Sequence, residues 1–201
     1  MRIEYDYAMH MCKERTGNIM AFEEVAIERA LTFIEPGPVV LVTTFDGVKN
    51  NVMTITWTMA MDFEQHIVIT TGPWNYSFET LLHTRECVVC VPAADLLNTV
   101  VQIGMVSGTD TDKFKTFGLT ALVSKYVKAP LIAECLACLE CSVIDYIESY
   151  GFFVLQVRRV LVDQGRCERR LIHAVGDGCF VLDGETVSRR GQMMTKLPPG
   201  L

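Results

Sequence analysis

No stretch of this chain is apolar for long. The longest segments without a charged residue, Leu96 to Thr109 and Gln65 to Phe78, are 14 residues each, short of the roughly 18 or more that a membrane-spanning helix needs. Both also carry polar residues, so no membrane span is expected. Positive charge is in deficit as well. With 18 Lys+Arg against 24 Asp+Glu the formal charge is -6, which gives no overall field attractive to nucleic acid or to an anionic membrane surface. The opening residues, MRIEYDYAMHMCKERTGNIM, lack the apolar core of a secretory leader, which makes the cytoplasm the expected compartment. Internal repeats, low-complexity tracts and blocks of like charge are missing too. The four histidines (10, 66, 83 and 173) form no HxH or HExxH pair. No GxGxxG opens a helix, and the nearest approach, Gly176-Asp177-Gly178, leads toward a strand, which disfavours a Rossmann sheet.

What is present fits one domain over residues 1–201, with an arm over residues 1–20 and a tail over residues 193–201. Residues 21–33 have partly helical spacing and stop at Pro36-Gly37-Pro38. Pro38 to Phe45 is a β-branched apolar run ending in the turn dipeptide Asp46-Gly47, so a buried strand and a hairpin follow. Asn51 to Ala60 alternates cleanly: Met53, Ile55, Trp57 and Met59 on one side, Thr54, Thr56 and Thr58 on the other. One face is expected to pack and the other to present hydroxyls.

Gln65 to Thr71 and Cys87 to Val91 read as further strands, with a helix over Asn75 to Thr84 between them, capped by Asn75 or Ser77. Leu96 to Val106 is compatible with either a helix or a strand, and Asp110 to Phe117 reads as a short helix capped near Thr109 or Thr111. Cys141 to Ile147 and Phe152 to Val162 form a plausible antiparallel pair about Ser149-Tyr150-Gly151, and 170–173 pairs with 179–182. Short strands at close spacing with few long helices indicate a mainly β protein, a small barrel with helical decorations.

The string VVLVTTFDGVKNNVMTITW resembles the flavoredoxin branch of the flavin reductase-like, FMN-binding split-barrel family. Four further pieces follow in that family's order: Thr71-Gly72-Pro73 leading to Tyr76-Ser77, the Glu86 to Pro92 strand, the Ser107-Gly108 to Asp112-Lys113-Phe114 loop, and Leu171-Ile172-His173 to Phe180. The likeness covers roughly residues 35 to 182. It implies a six-stranded Greek-key split β-barrel, a homodimer, and FMN held noncovalently near the subunit interface.

FMN carries a dianionic phosphate, a chain of hydroxyls and a flat ring with imide edges, so its site needs donors for the first two and an apolar wall for the third. The strand from Asn51 offers backbone groups and the hydroxyls of Thr54 and Thr56, while Met53 or Ile55 can press on the ring. A helix start near Asn75 brings unpaired N–H groups and the positive end of a dipole, with Asn75, Tyr76, Ser77 and Phe78 as the cradle. The alternative reading of these residues is a β-prone solvent face and an ordinary capped helix.

Related flavin reductases place an Arg or Lys in the Gly72 to Ser77 loop, and this chain has none. The phosphate charge then falls to N–H dipoles, or to Lys49, Arg85 or Lys113 arriving from elsewhere. Trp74 covers the flavin or substrate face, or simply packs. The resemblance places Ser107, Gly108 and Lys113 near the reactive ring edge, where a cation stabilises reduced flavin, and puts His173 at the barrel end.

Eight cysteines in an unexported chain read as reduced thiols. Cys87 and Cys90, three apart on a strand, point to opposite faces and cannot chelate one ion. Cys135, Cys138 and Cys141 would align on a stripe if residues 134–140 were helical, with a fourth ligand required from Cys167, Cys179 or His173. The expected function is that of an oxidoreductase passing electrons from NAD(P)H or a redox protein through FMN to free flavin, a ferric chelate or a protein. The alternatives are a non-catalytic FMN electron carrier and a Cys-rich metal-binding adaptor.

Overall fold

The computed structural model describes residues 22–30, 37–175 and 178–198. The expected arm over residues 1–20, the two ends of the expected helix over 21–33 (residue 21 and residues 31–33), the turn at Gly176-Asp177 and the last three residues of the tail lie outside these.

The centre of the fold is an antiparallel sheet built from β1 (Phe22–Val25), β2 (Val40–Phe45), β3 (Asn50–Ile55), β4 (Thr58–Ala60), β5 (His66–Thr70), β6 (Glu86–Val91), β9 (Ala137–Ile147) and β10 (Phe152–Asp163). The strand order is β3-β2-β6-β9-β10-β5-β4, with β1 added onto β10. Two small ribbons, β7–β8 (Ala121–Leu122 with Leu131–Ile132) and β11–β12 (Ile172–Ala174 with Phe180–Leu182), stand apart from it. The helices are α1 (Ser77–Thr84), α2 (Leu97–Gly104), α3 (Lys113–Thr116) and α4 (Arg190–Met193).

The two ends of the sheet, β3 and β4, are consecutive in the chain and joined only by Thr56 and Trp57. The sheet must therefore curl until its two ends approach each other without pairing, and Thr58 Oγ1 bridges the gap by donating to Pro38 O at 3.1 Å. Tight turns enforce the pairing. At Asp46-Gly47 the Asp46 carboxylate accepts from the backbone N–H of Val48 and Lys49 at 2.8 and 2.7 Å, which holds Phe45 opposite Asn50. At the β9–β10 turn Gly151 sits at φ 64° with its missing Cβ only 3.0 Å from Thr71 O, so the position is restricted to glycine by both backbone and space.

Alternation along each strand builds two apolar layers. Val40, Val42, Met53, Ile55, Ile67, Ile69, Val89, Leu139, Phe153 and Leu155 fill the inside of the curl. Val39, Leu41, Val52, Val88, Val100, Ile103, Phe114, Leu131 and Ile172 form a second core between the outer sheet face and α2, α3 and the ribbons.

Four expectations need correction. Residues 22–25 are a strand, not the start of a helix, because they gain a ladder with Val160 to Asp163. The sheet has eight strands instead of six, since β1 adds one and the expected strand Asn51 to Ala60 splits at Thr56-Trp57. Its alternation ends there: Met53 and Ile55 are buried, whereas Trp57 and Met59 are 70% and 55% exposed. Residues 137–140 are strand, so the helical stripe considered for Cys135, Cys138 and Cys141 does not form, because Ala137 to Ser142 pairs with Glu86 to Val91. The ambiguous run from Leu96 forms a 3-10 turn and α2.

Candidate functional site

One cavity of about 250 Å³ opens beside the start of β3. Its walls come from β3 (Asn51, Met53), the β5–α1 loop (Trp74, Asn75, Tyr76), the end of α2 and the loop after it (Gly104 to Gly108), and Lys113 at the start of α3. These elements meet because β3 is an edge of the curled sheet, against which both α1 and α2 pack.

Asn51 is the innermost polar group. It is 3% exposed, and its Nδ2 donates to Ser77 Oγ at 2.8 Å, which in turn lies 2.8 Å from Thr44 Oγ1. Its Oδ1 is buried and has no partner. An unpaired buried acceptor is destabilising by about 1–3 kcal/mol, so this atom marks where a ligand donor belongs. Gly108 faces it directly: a Cβ there would lie 2.5 Å from Asn51 Oδ1 and 2.7 Å from Tyr76 Cδ1. The wall at this point can only be bare backbone.

Two ammonium groups converge on the same loop. Lys113 is 5% exposed and donates to Ile103 O at 3.0 Å, a carbonyl in the last turn of α2, where a cation is favourable. Burial, and then the neighbouring Lys49 charge, lower its pKa to about 8. Lys49 Nζ donates to Gly108 O at 2.6 Å and Thr111 O at 3.4 Å, and lies 5.5 Å from the centre of the Tyr76 ring. Lys49 thus ties the β2–β3 hairpin to the cavity loop. Arg85, the third cation considered, instead donates to Ile144 O at the far end of α1.

On the outer rim the Trp74 ring lies over Gly72, where a Cβ would come within 2.3 Å of a ring carbon. Asn75 Nδ2 donates to Thr71 Oγ1 at 2.9 Å, so Thr71 braces this loop from behind. The helix begins two residues later than expected, at Ser77, with Tyr76 at the cap and no side-chain capping bond. The α3 cap is Asp112, which accepts from Lys115 N, and not Thr109 or Thr111.

Of the residues singled out from sequence, Asn51, Met53, Trp74, Asn75, Tyr76, Ser107, Gly108 and Lys113 line the cavity, and Thr71 and Ser77 support it. Five do not line it. Thr54 Oγ1 donates to Val100 O at 2.6 Å, because α2 covers the threonine face of β3. Thr56 is exposed in the β3–β4 link. Ile55 belongs to the inner core, as does Phe78, whose ring meets Tyr146 and Phe153 edge-on. His173 pairs with Asp183 across the β11–β12 ribbon at 2.8 Å. Gly104, Met105 and Val106 escaped notice; the glycine ending an apolar helical run was their only signal.

Five of the cysteines are buried in the layers instead of lining the cavity. Cys87 and Cys141 belong to the inner core, Cys90, Cys135 and Cys138 to the outer one, with the Cys90 and Cys138 sulfurs 3.4 Å apart. Burial pushes the thiols of Cys90, Cys138 and Cys141 well above their usual range, so they stay protonated and unreactive at neutral pH. Cys167 departs from the expectation of reduced thiols, being disulfide-bonded. Among the described residues no group of three or more His, Cys, Asp or Glu is placed to hold a metal ion, and no helix is long and apolar enough to cross a membrane.

Residues 34–179 match the flavin reductase like domain. Protein YddH of Escherichia coli (strain K12) is 28% identical over 185 residues, which is 83% of this chain and 97% of that protein. Among solved structures, an FMN-binding domain of a flavin reductases-like enzyme from Shewanella baltica OS155 superimposes with a TM-score of 0.78 at 22% identity, covering 86% of this chain and 99% of that one. Flavoredoxin of Desulfovibrio vulgaris (Miyazaki F) gives a TM-score of 0.69 at 20% identity, covering 88% and 96%. These two likenesses show a shared fold. The domain match runs from the residues before β2 through β11 and includes every residue lining the cavity, and on that span the chain belongs to the flavin reductase-like family.

Proposed function

We propose that this protein binds FMN in the cavity beside β3 and works as an oxidoreductase, taking electrons from NAD(P)H or a redox protein and passing them to free flavin, a ferric chelate or a protein. The observation that carries this reading is the unpaired buried oxygen of Asn51, set against a bare-backbone wall at Gly108 in a cavity that Lys113 also lines. These residues fit the group. Asn51 Oδ1 is an acceptor for an imide N–H or a hydroxyl, Lys113 a partner for an anionic part, and Met53, Trp74 and Tyr76 apolar surface for a ring. When bound, FMN supplies the electron-transferring ring itself, so the protein's task is to hold, orient and shield.

A volume of about 250 Å³ is small beside the roughly 300–1,000 Å³ of common ligand pockets, so part of a ligand of this size would protrude. A second copy of the chain completes the enclosure in this reading. The surface offered to it is the free edge of the sheet at β4, where alternate residues Trp57, Met59, Met61 and Phe63 are 70%, 55%, 46% and 70% exposed. Such an apolar stripe on an unpaired edge is an association site, and a homodimer with two-fold symmetry is the commonest way to cover it.

The test is the visible spectrum of the purified protein before and after adding FMN and removing the excess by gel filtration. A flavin spectrum that co-elutes is expected, and its absence would refute the reading. Steady-state NADH and NADPH oxidation then separates an enzyme from an electron carrier, which would show negligible turnover with small acceptors.

Lys113 makes the binding pH-dependent. Its ammonium is the form that attracts an anion, and it is lost as pH rises through about 8. Binding an anion above that pH requires proton uptake, so the FMN dissociation constant should climb by up to about tenfold per pH unit. Lys113→Met should remove the climb and weaken binding at pH 7 by roughly 10–100-fold, the loss of one charge-assisted contact. Fluorescence titration of FMN between pH 6 and 10 measures both.

A further inference from the structure

Beyond β12 the chain stays at the surface, and every residue over 184–196 is exposed. Turns of its own hold the segment, with Gln192 N donating to Arg189 O at 2.9 Å and Lys196 N to Met193 O at 2.8 Å. Its composition is not that of a polar tail. Val187, Met193 and Met194 are 59%, 52% and 64% exposed, and the cations Arg189, Arg190 and Lys196 stand against one acid, Glu185. Methionine and arginine are residues that interfaces collect, and this much apolar surface on one short segment is unfavourable in water.

The free edge at β4 has the complementary chemistry. Trp57, Met59, Met61 and Phe63 lie exposed along it, and the turn after it carries Asp62 and Glu64. That turn is fixed in advance. Asp62 Oδ1 accepts from the N–H of Glu64 at 2.8 Å and of His66 at 3.3 Å, and Gln65 is held at φ 63°. The His66 ring lies 2.7 Å from Asp62 Oδ2 and offsets that charge, which leaves Glu64 as the acid open to an outside cation. A thioether packs favourably against an aromatic ring, so Met193 and Met194 suit Trp57 and Phe63 as the cations suit Glu64.

The fold brings the segment and the edge to one place. Ile172 O, in the β11–β12 ribbon from which the segment leaves, accepts from Val39 N at 2.7 Å, and the preceding Pro38 O accepts from Thr58 Oγ1 on β4 at 3.1 Å. The segment therefore starts beside the unpaired edge. In a two-fold pair built on that edge, each segment emerges at the boundary between the copies.

We infer that residues 184–196 of each copy cross to the other and pack on its β4–β5 hairpin, methionines on Trp57 and Phe63 and cations on Glu64, in a reciprocal exchange. The inference rests on the second copy invoked in the proposed function and names what its edge meets. It does not need FMN.

The test is charge exchange in the full chain. Arg189→Glu combined with Lys196→Glu makes one variant and Glu64→Lys the other, with Asp62 kept because it holds the turn. Sedimentation equilibrium should give a dimer for the wild type and at least about tenfold weaker self-association for each variant alone. An equimolar mixture of the two variants should recover wild-type association to within about threefold, because both contacts of the mixed pair again oppose unlike charges. A segment lying on the hairpin of its own chain would not be rescued by mixing. Wild-type self-association of either variant alone, no recovery on mixing, or a monomeric wild type would each overturn the inference. A monomer that retains FMN would overturn it and leave the proposed cofactor standing, whereas a rescued pair that never retains FMN would refute the cofactor and leave the exchange standing.

Discussion

Gly108→Val should abolish FMN retention while leaving the protein folded. The position is closed by space and not by backbone conformation: even a Cβ would stand 2.5 Å from Asn51 Oδ1, 2.8 Å from Asn51 Cγ and 2.7 Å from Tyr76 Cδ1. Valine adds two methyl groups beyond that. Either the loop moves outward and breaks the bond from Lys49 to Gly108 O, or the methyls occupy the space that Asn51 Oδ1 opens onto. Both outcomes remove the acceptor from reach of a ligand. The loop around Gly108 is otherwise exposed, so the loss of stability should be that of an overpacked site, about 1–3 kcal/mol. The ratio of flavin to protein absorbance after gel filtration, together with a thermal melt, measures the two effects separately. Full flavin retention in Gly108→Val would mean that FMN does not use the Asn51 wall.

Glu140→Ala should have the opposite profile, with a large loss of stability and no direct effect on the cavity. Glu140 is a carboxylate at 0% exposure on β9. It accepts from the backbone N–H of Lys125 at 3.0 and 3.1 Å, from that of Tyr126 at 2.6 Å, and from Arg159 Nη1 at 3.1 Å. Arg159 also reaches Glu24 on β1 at 2.9 Å. One carboxylate thus joins the loop after β7 and strand β10, with β1 linked through the guanidinium. Removing it leaves two part-buried backbone N–H groups without their acceptor and the Arg159 guanidinium, 17% exposed, with Glu24 alone, which is destabilising by about 3–5 kcal/mol. For a chain of this length that corresponds to a fall in Tm of roughly 6–20 °C. Glu140→Gln keeps the shape and one acceptor oxygen, so it should lose less. Equal melting temperatures for wild type and Glu140→Ala would show that the network contributes nothing net. Glu140 does not line the cavity, so FMN affinity measured well below the melting temperature should be unchanged.

These two residues illustrate how unevenly the molecule could be read from its chain. Gly108 was marked by its place in a loop that resembles a family motif. Glu140 carried no mark, because a glutamate between Leu139 and Cys141 looks like any outward-facing strand residue until the loop after β7 folds across it. Burial of a charge is a tertiary event, and its only trace in sequence is an acid in an otherwise apolar strand.

The same division runs through the cavity. Local chemistry determined β2, the turn at Asp46-Gly47 and β3, because β-branched alternation and turn residues act over a few positions. It also determined that α1 follows Gly72-Pro73 and that Cys87 and Cys90 oppose each other across the sheet. Period-2 alternation, however, says which residues share a face and not what covers that face. The threonine side of β3 was open to a cofactor on pattern alone; α2 packs there, and Thr54 bonds to Val100 O instead. Beyond Ile55 the chain leaves one edge of the sheet for the other at Thr56-Trp57, so Trp57 and Met59 emerge into solvent although their spacing matches the buried Met53 and Ile55.

The cationic groups show it most plainly. Lys49 and Lys113 are 64 positions apart as numbered, and nothing in their surroundings pairs them. Curling the sheet brings the β2–β3 hairpin against the loop before α3, which buries one ammonium, spends the other on backbone carbonyls and lowers the Lys113 pKa to about 8. Sequence by itself determined β2, β3, β5, β6 and β10, the turn at Asp46-Gly47 and the family, since these depend on short-range propensity and on residue order. Tertiary structure alone decided which side chains share a cavity and which charge is buried, since desolvation depends on neighbours that are distant along the chain.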